Sequence, residues 1–204
     1  TDSTFTHSTT SFYNTVYFNK ISYFITFLNI FLFFLFSIIN NSKINSINPN
    51  NESLIFYSTT VYPYCEDIRD EIWRLFSYSF VHANLFHLFG NSIGIIVVTT
   101  NLYKFQSFIS ILLVYIVTVL NGALSFYLTN PYHALLGASG GVYGIAGSNL
   151  SNFIYNYDNM YDFEITFTIA FYLIFSLIDI INYFAFYNDS IAYQVHWYCL
   201  LYGI

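Results

Sequence analysis

Between Lys104 and Asp158 the chain runs for 53 residues without a formal charge. Two further silent runs lie between Lys20 and Lys43 (22 residues) and between Arg74 and Lys104 (29 residues). A helix crossing a bilayer needs about 20 mostly apolar residues, each adding about 1.5 Å toward a hydrocarbon layer ~30 Å thick. Backbone polar groups must be satisfied inside that layer, which leaves helices or closed barrels, and the alternation of a barrel strand is absent. Charged residues make up 8% of the 204, against roughly 25% in soluble domains, too few to cover a water-soluble core. With 5 Lys+Arg against 11 Asp+Glu, the basic footprint of a nucleic-acid binder is missing as well. The class these observations leave is an all-α polytopic membrane protein.

Spans are expected at residues 21–39, 80–103, 105–128, 138–157, 163–183 and 191–204, with Asn130-Pro131 as the turn that divides the longest run. The last segment has 14 residues, about 21 Å of helix, and is expected to be incomplete. Residues 1–20, rich in Ser and Thr, read as a polar tail ahead of a membrane domain over 21–204. Residues 40–79 form a long first loop, Asn/Ser-rich at first and then acidic. Lysines and arginines divide two against three between the two sides, so the positive-inside rule gives no orientation. Sequons beginning at Asn40, Asn51 and Asn188 fall on one side, which their use would make lumenal.

Against this apolar background a few polar residues are conspicuous, since polar groups in a span are expensive and usually face the bundle interior. His87 and Asn91 are i,i+4 neighbours on one face of span two. His82 lies about 140° around the same helix, and so either faces another helix or precedes the helix proper. Interhelical hydrogen bonding, worth about 1 kcal/mol each, is the structural alternative for all three. Span four opens Gly137-Ala138-Ser139-Gly140-Gly141-Val142-Tyr143-Gly144. Close helix packing accounts for the glycines but not for Ser139, whose hydroxyl would be uncovered beside first-turn N–H groups able to hold an oxyanion. An N-cap is the commoner role for such a serine. His196, early in the last segment, supplies the base that a neutral serine hydroxyl needs to attack a carbonyl.

Together these motifs resemble the rhomboid intramembrane serine proteases, over about residues 71–203. The resemblance rests on Trp73-Arg74 followed by His82-x4-His87-x3-Asn91, on Gly137-Ala138-Ser139-Gly140 with Tyr143 one turn on, and on His196 with Gly203 seven residues later. The stretch 148–156 is also similar to the animal secretory-pathway branch. The resemblance implies a six-helix bundle in which Ser139 is nucleophile and His196 general base, without a carboxylate third member. It further implies that His87 and Asn91 donate to the oxyanion with the Ser139 N–H, and that Tyr143 packs on the His196 ring. Gly137 and Gly140 would support the serine, His82 would hold the start of span two, and Trp73 and Arg74 would anchor the first loop at the membrane interface. Asp179, on span five, reads as solvated or structural. The implied substrates are single-pass transmembrane proteins cut at or near the lumenal or extracellular face, with the lipid bilayer as medium. The implied location is the secretory pathway or plasma membrane rather than a mitochondrion.

One departure from the family pattern stands out: Tyr198 and Cys199 occupy positions where the family usually has two glycines. They are expected to part spans four and six, and a shift of about 1 Å in a catalytic group can cost ~10²-fold in rate. A non-catalytic relative that binds transmembrane clients is the alternative this departure raises. A channel or carrier would need paired charges or broken helices in mid-membrane, which the sequence lacks. Cys65 and Cys199 are not expected to pair, His133 reads as a loop residue, and no ligand cluster calls for a metal or other cofactor.

Overall fold

The structure, a computed structural model, describes residues 20–39, 72–103, 105–130, 135–185 and 192–204. The polar tail, most of the first loop with Cys65, the three sequons and His133 lie outside the described residues. Every regular element among the described residues is helical: α1 (Lys20–Ile39), α2 (Arg74–Ser77), a 3₁₀ turn (Tyr78–Phe80), α3 (Leu85–Leu102), α4 (Phe108–Thr129), α5 (Ser139–Asn156), a second 3₁₀ turn (Tyr157–Asn159), α6 (Asp162–Ala185) and α7 (Tyr193–Gly203).

Local chemistry sets several of these boundaries. Span two was expected from residue 80, but α3 begins at Leu85 because Asn84 takes extended backbone (φ −163°) and its side chain accepts from the His87 N–H at 2.9 Å. That is an N-cap, satisfying a donor the first helical turn leaves over. The α2/3₁₀ segment therefore meets α3 at a bend of 100°. Ser107 caps α4 in the same way, accepting from Ser110 N–H at 3.2 Å. Within the helices, hydroxyls return to their own carbonyls: Ser92 to Leu88 (2.8 Å), Thr99 to Ile95 (2.6 Å) and Thr118 to Val114 (2.7 Å). Such back-bonding satisfies polar groups where water is scarce.

Helix α5 is the axis of the bundle. Its residues from Gly140 to Asn149 are all buried, and it packs on α7, α3 and α4, while α1 lies against α3. The surrounding core includes Ile95, Val98, Ile111, Val119, Ala123, Ile145 and Ala146, all fully buried. Tyr78 ties the 3₁₀ turn into this core. Its hydroxyl donates to the Val119 carbonyl at 3.0 Å, and its own carbonyl accepts from Gly137 N–H at 3.0 Å.

Among the described residues, by length and composition alone, α4 is the helix able to cross a membrane; Arg74–Phe80 and Leu85–Thr100 pass together only as a bent pair, and Ser22–Ile38 and Ile165–Ile181 are shorter apolar stretches. Large apolar side chains point outward across the molecule, including Phe86, Leu128, Phe163 and Phe184. Exposed apolar area on that scale needs a non-aqueous neighbour.

Candidate active site

Gly137 adopts φ +104°, a conformation that disfavours any residue with a Cβ. A Cβ at this position would lie 2.6 Å from the His87 ring and 3.4 Å from Asn91 Nδ2. The glycine therefore permits two things at once, the turn into α5 and the close approach of α3. Two residues later, Ser139 is the first helical residue of α5, partly exposed. The N-cap position falls to Ala138, so the capping role open to this serine is not the one it plays. Its neighbours' first-turn N–H groups have no intrahelical acceptor.

Asn91 is buried, and its Nδ2 has no hydrogen-bond partner among the described residues. A buried amide donor left unpaired carries a penalty of about 1–3 kcal/mol. One beside the Gly137–Ser139 backbone is poised for a ligand oxygen. His87 stands next to it, its ring edge-on to His82 at 5.2 Å. His82 does not belong to α3; it sits in the bend before it, buried, and its Nε2 lies 3.5 Å from the Ala138 N–H. It thus braces the strand of chain leading into Ser139 from the outside of the helix. Trp73 is half exposed at the entry to α2, whereas Arg74 is buried.

Tyr143, one turn along α5 from Ser139, stacks on the His196 ring with centroids 4.1 Å apart and planes within 8°. Tyr193 meets the same imidazole edge-on at 6.1 Å. His196 is buried on α7, and among the described residues no hydrogen bond joins it to the Ser139 hydroxyl. Catalytic hydrogen bonds of this kind are often long in the unliganded state and tighten with substrate.

Two sequence expectations need correction. Asp179 is not solvated: it is buried, its Oδ2 accepts from the Tyr143 hydroxyl at 2.5 Å, and it stands 3.3 Å from His196 Nδ1. Nor do Tyr198 and Cys199 part the helices. Cys199 places its sulfur in the space that Gly122 of α4 and Gly140 of α5 leave open, and donates to the Thr118 carbonyl at 3.3 Å. The backbones of α5 and α7 meet elsewhere, where Gly147 lies against the Leu200 carbonyl and Gly203 against the Gly144 carbonyl. Gly140 does contribute to the close approach, with Tyr78 Oη and Cys199 Sγ 3.0 and 3.3 Å from the place a Cβ would take.

Sequence reasoning missed Tyr78 and the cap at Asn84. An Asn ahead of an apolar helical run is a start signal, so the cap was detectable. Tyr78 is one of 21 tyrosines, and no pattern separates it from the rest.

A partly exposed serine thus opens a glycine-lined central helix, with a stacked histidine from the last helix, and amide and imidazole groups lie against the glycine two residues before it. Residues 69–204, two-thirds of the chain, match the family model described as the Rhomboid domain, and the chain belongs to the rhomboid family. Members are membrane-embedded and most are serine proteases. Similar proteins include Rhomboid-related protein 2 of Mus musculus, 39% identical over 48% of this chain and 32% of that protein. Rhomboid-related protein 1 of Caenorhabditis elegans is 35% identical over 49% of this chain and 28% of its own length. RHOMBOID-like protein 1 of Arabidopsis thaliana is 33% identical over 44% and 23%. The matches thus cover about a third or less of the relatives' length, and they come from a plant as well as from animals.

Proposed function

We propose that the protein is an intramembrane serine endopeptidase that cuts single-pass transmembrane proteins, with Ser139 as nucleophile and His196 as general base. The observation that carries this reading is the convergence on the start of α5. Tyr143, one turn from the serine, holds the His196 ring by stacking, while the unpaired Asn91 amide and the His87 ring crowd Gly137 two residues before it. In the reaction, Ser139 Oγ attacks the scissile carbonyl and His196 takes its proton. The carbonyl oxygen, now negative, draws on Asn91 Nδ2, His87 and the Ser139 N–H. His196 then returns the proton to the leaving amine, and water releases the acyl-enzyme by the same steps in reverse roles. A stable substrate helix hides its carbonyls, so substrates with helix-weakening residues near the cut are favoured. Trp73 fits an interface anchor, since an amphipathic ring favours the headgroup region; buried Arg74 would then serve by packing beneath it.

Client binding without hydrolysis is the second reading. It draws on the altered Tyr198-Cys199 pair and the short last segment; the seat of Cys199 over Gly122 favours the protease reading over it. The test is labelling by a fluorophosphonate probe in membranes. Parent protein should label, and both Ser139→Ala and His196→Ala should lose the label. A Ser139→Ala variant that labels like the parent would refute the protease reading.

A further inference from the structure

Asp179 lies on α6, yet it belongs spatially to the α5–α7 junction. Its burial is the first peculiarity, because an ionised carboxylate taken out of water is stable only if paired and hydrogen-bonded. Both partners are present: the Tyr143 hydroxyl at 2.5 Å and His196 Nδ1 at 3.3 Å, on the same oxygen. The second peculiarity is that tethering α6 does not require it. Tyr172 already donates its hydroxyl to the Ala146 carbonyl, and the Phe175 ring packs on Tyr143 with centroids 4.7 Å apart. Thr168, Tyr172, Phe175 and Asp179 follow one another at helical spacing, forming the stripe by which α6 meets the bundle. A neutral acceptor at the end of that stripe would satisfy the tyrosine equally well. A carboxylate adds something only for the histidine.

We propose that Asp179 is a positioning residue for His196, making the serine–histidine pair a three-member relay; this rests on the protease reading above. A carboxylate beside Nδ1 can only accept there, so it selects the tautomer protonated at Nδ1 and leaves the Nε2 lone pair for the serine proton. As Oγ bonds to the scissile carbon, its proton passes to Nε2, and the imidazolium so formed gains a neighbouring negative charge. Asp179 itself takes no proton. When the C–N bond breaks, the Nε2 proton leaves with the amine and the imidazole returns to neutrality. Tyr143 acts on both partners: its ring fixes the imidazole plane, and its hydroxyl spreads the carboxylate charge. The pair thus constrains His196 in all its freedoms, the ring plane by stacking and the in-plane rotation by the Nδ1 contact.

The replacement Asp179→Asn removes the charge, and its amide N–H groups, turned to the position that Tyr143 and Nδ1 share, donate to Nδ1 and to the tyrosine oxygen, favouring the opposite tautomer. In the full-length protein reconstituted in liposomes, the maximal rate of fluorophosphonate labelling should fall by up to about 10⁴-fold, the loss that the corresponding change causes in a serine protease triad. The melting temperature should stay at the parental value. Nitrogen-15 spectra of labelled histidine should show His196 protonated at Nδ1 in the parent and shifted toward Nε2 in the variant, a signature that a purely structural acid would not produce. Parental labelling rates in Asp179→Asn, with Ser139→Ala dead, would overturn the inference and leave the protease reading standing. A slower rate accompanied by a lower melting temperature and an unchanged tautomer would overturn it too. Undiminished labelling of Ser139→Ala would remove both.

Discussion

Gly137 concentrates the constraints of the site in one residue. Its positive φ turns the chain into α5, and its missing side chain leaves room for His87 and Asn91. Gly137→Ala should therefore fail twice. The backbone conformation costs about 1–3 kcal/mol, and the methyl group displaces His87 and Asn91, the two proposed oxyanion donors, with an expected loss of ~10²-fold in rate. Thermal denaturation and probe labelling on the same sample check both. Gly90 provides the control: nothing lies within 4 Å of a Cβ there, so Gly90→Ala should keep activity and gain about 1 kcal/mol of helix propensity. Much of the candidate site was legible at this scale, because histidine, and serine or asparagine inside a charge-free apolar run, stand out. Asp179 was legible as an intramembrane carboxylate but read as solvated or structural. Only the register of α6 against α5, set by Tyr172 and Phe175, turns it inward, and no residue type announces that register.

At the scale of elements, boundaries were harder to read than existence. Six apolar segments were evident from the charge-free runs, yet the 100° bend before α3 was hidden because no charge interrupts residues 75–90. Hydropathy records what a segment can be surrounded by, not where its axis breaks. The α5–α7 contact was misread for a related reason. A side chain in a usual glycine position looks like an obstacle until its neighbours are known, and Cys199 fits where Gly122 and Gly140 both lack a side chain. Restoring a glycine should consequently harm the protein. Cys199→Gly removes a fully buried side chain and adds a flexible residue to a helix, for a combined loss of about 1–3 kcal/mol. Cys199→Ser keeps a donor for the Thr118 carbonyl and should lose less. Melting curves in detergent rank the two, and a stabilised Cys199→Gly would contradict the packing described.

The whole molecule presents an inside-out distribution of side chains. Its centre is a helix of small residues, and its exterior carries phenylalanine, leucine and isoleucine on α1, α3 and α6. Such a particle should remain in the pellet after alkaline carbonate washing of membranes and enter solution only with detergent; release by carbonate would contradict a membrane-embedded body. The central helix also has an evolutionary consequence. Along α5, Gly140 faces Tyr78, Gly141 faces Tyr115, Gly144 faces Thr118, and Gly147 faces the Leu200 backbone. Each of four neighbours rests on a different point of one bare helix. Descendants of this sequence cannot drift there one position at a time; substitutions should arrive as compensated pairs, a shrinking neighbour for each growing residue, so that the history of α5 is written jointly in the elements around it.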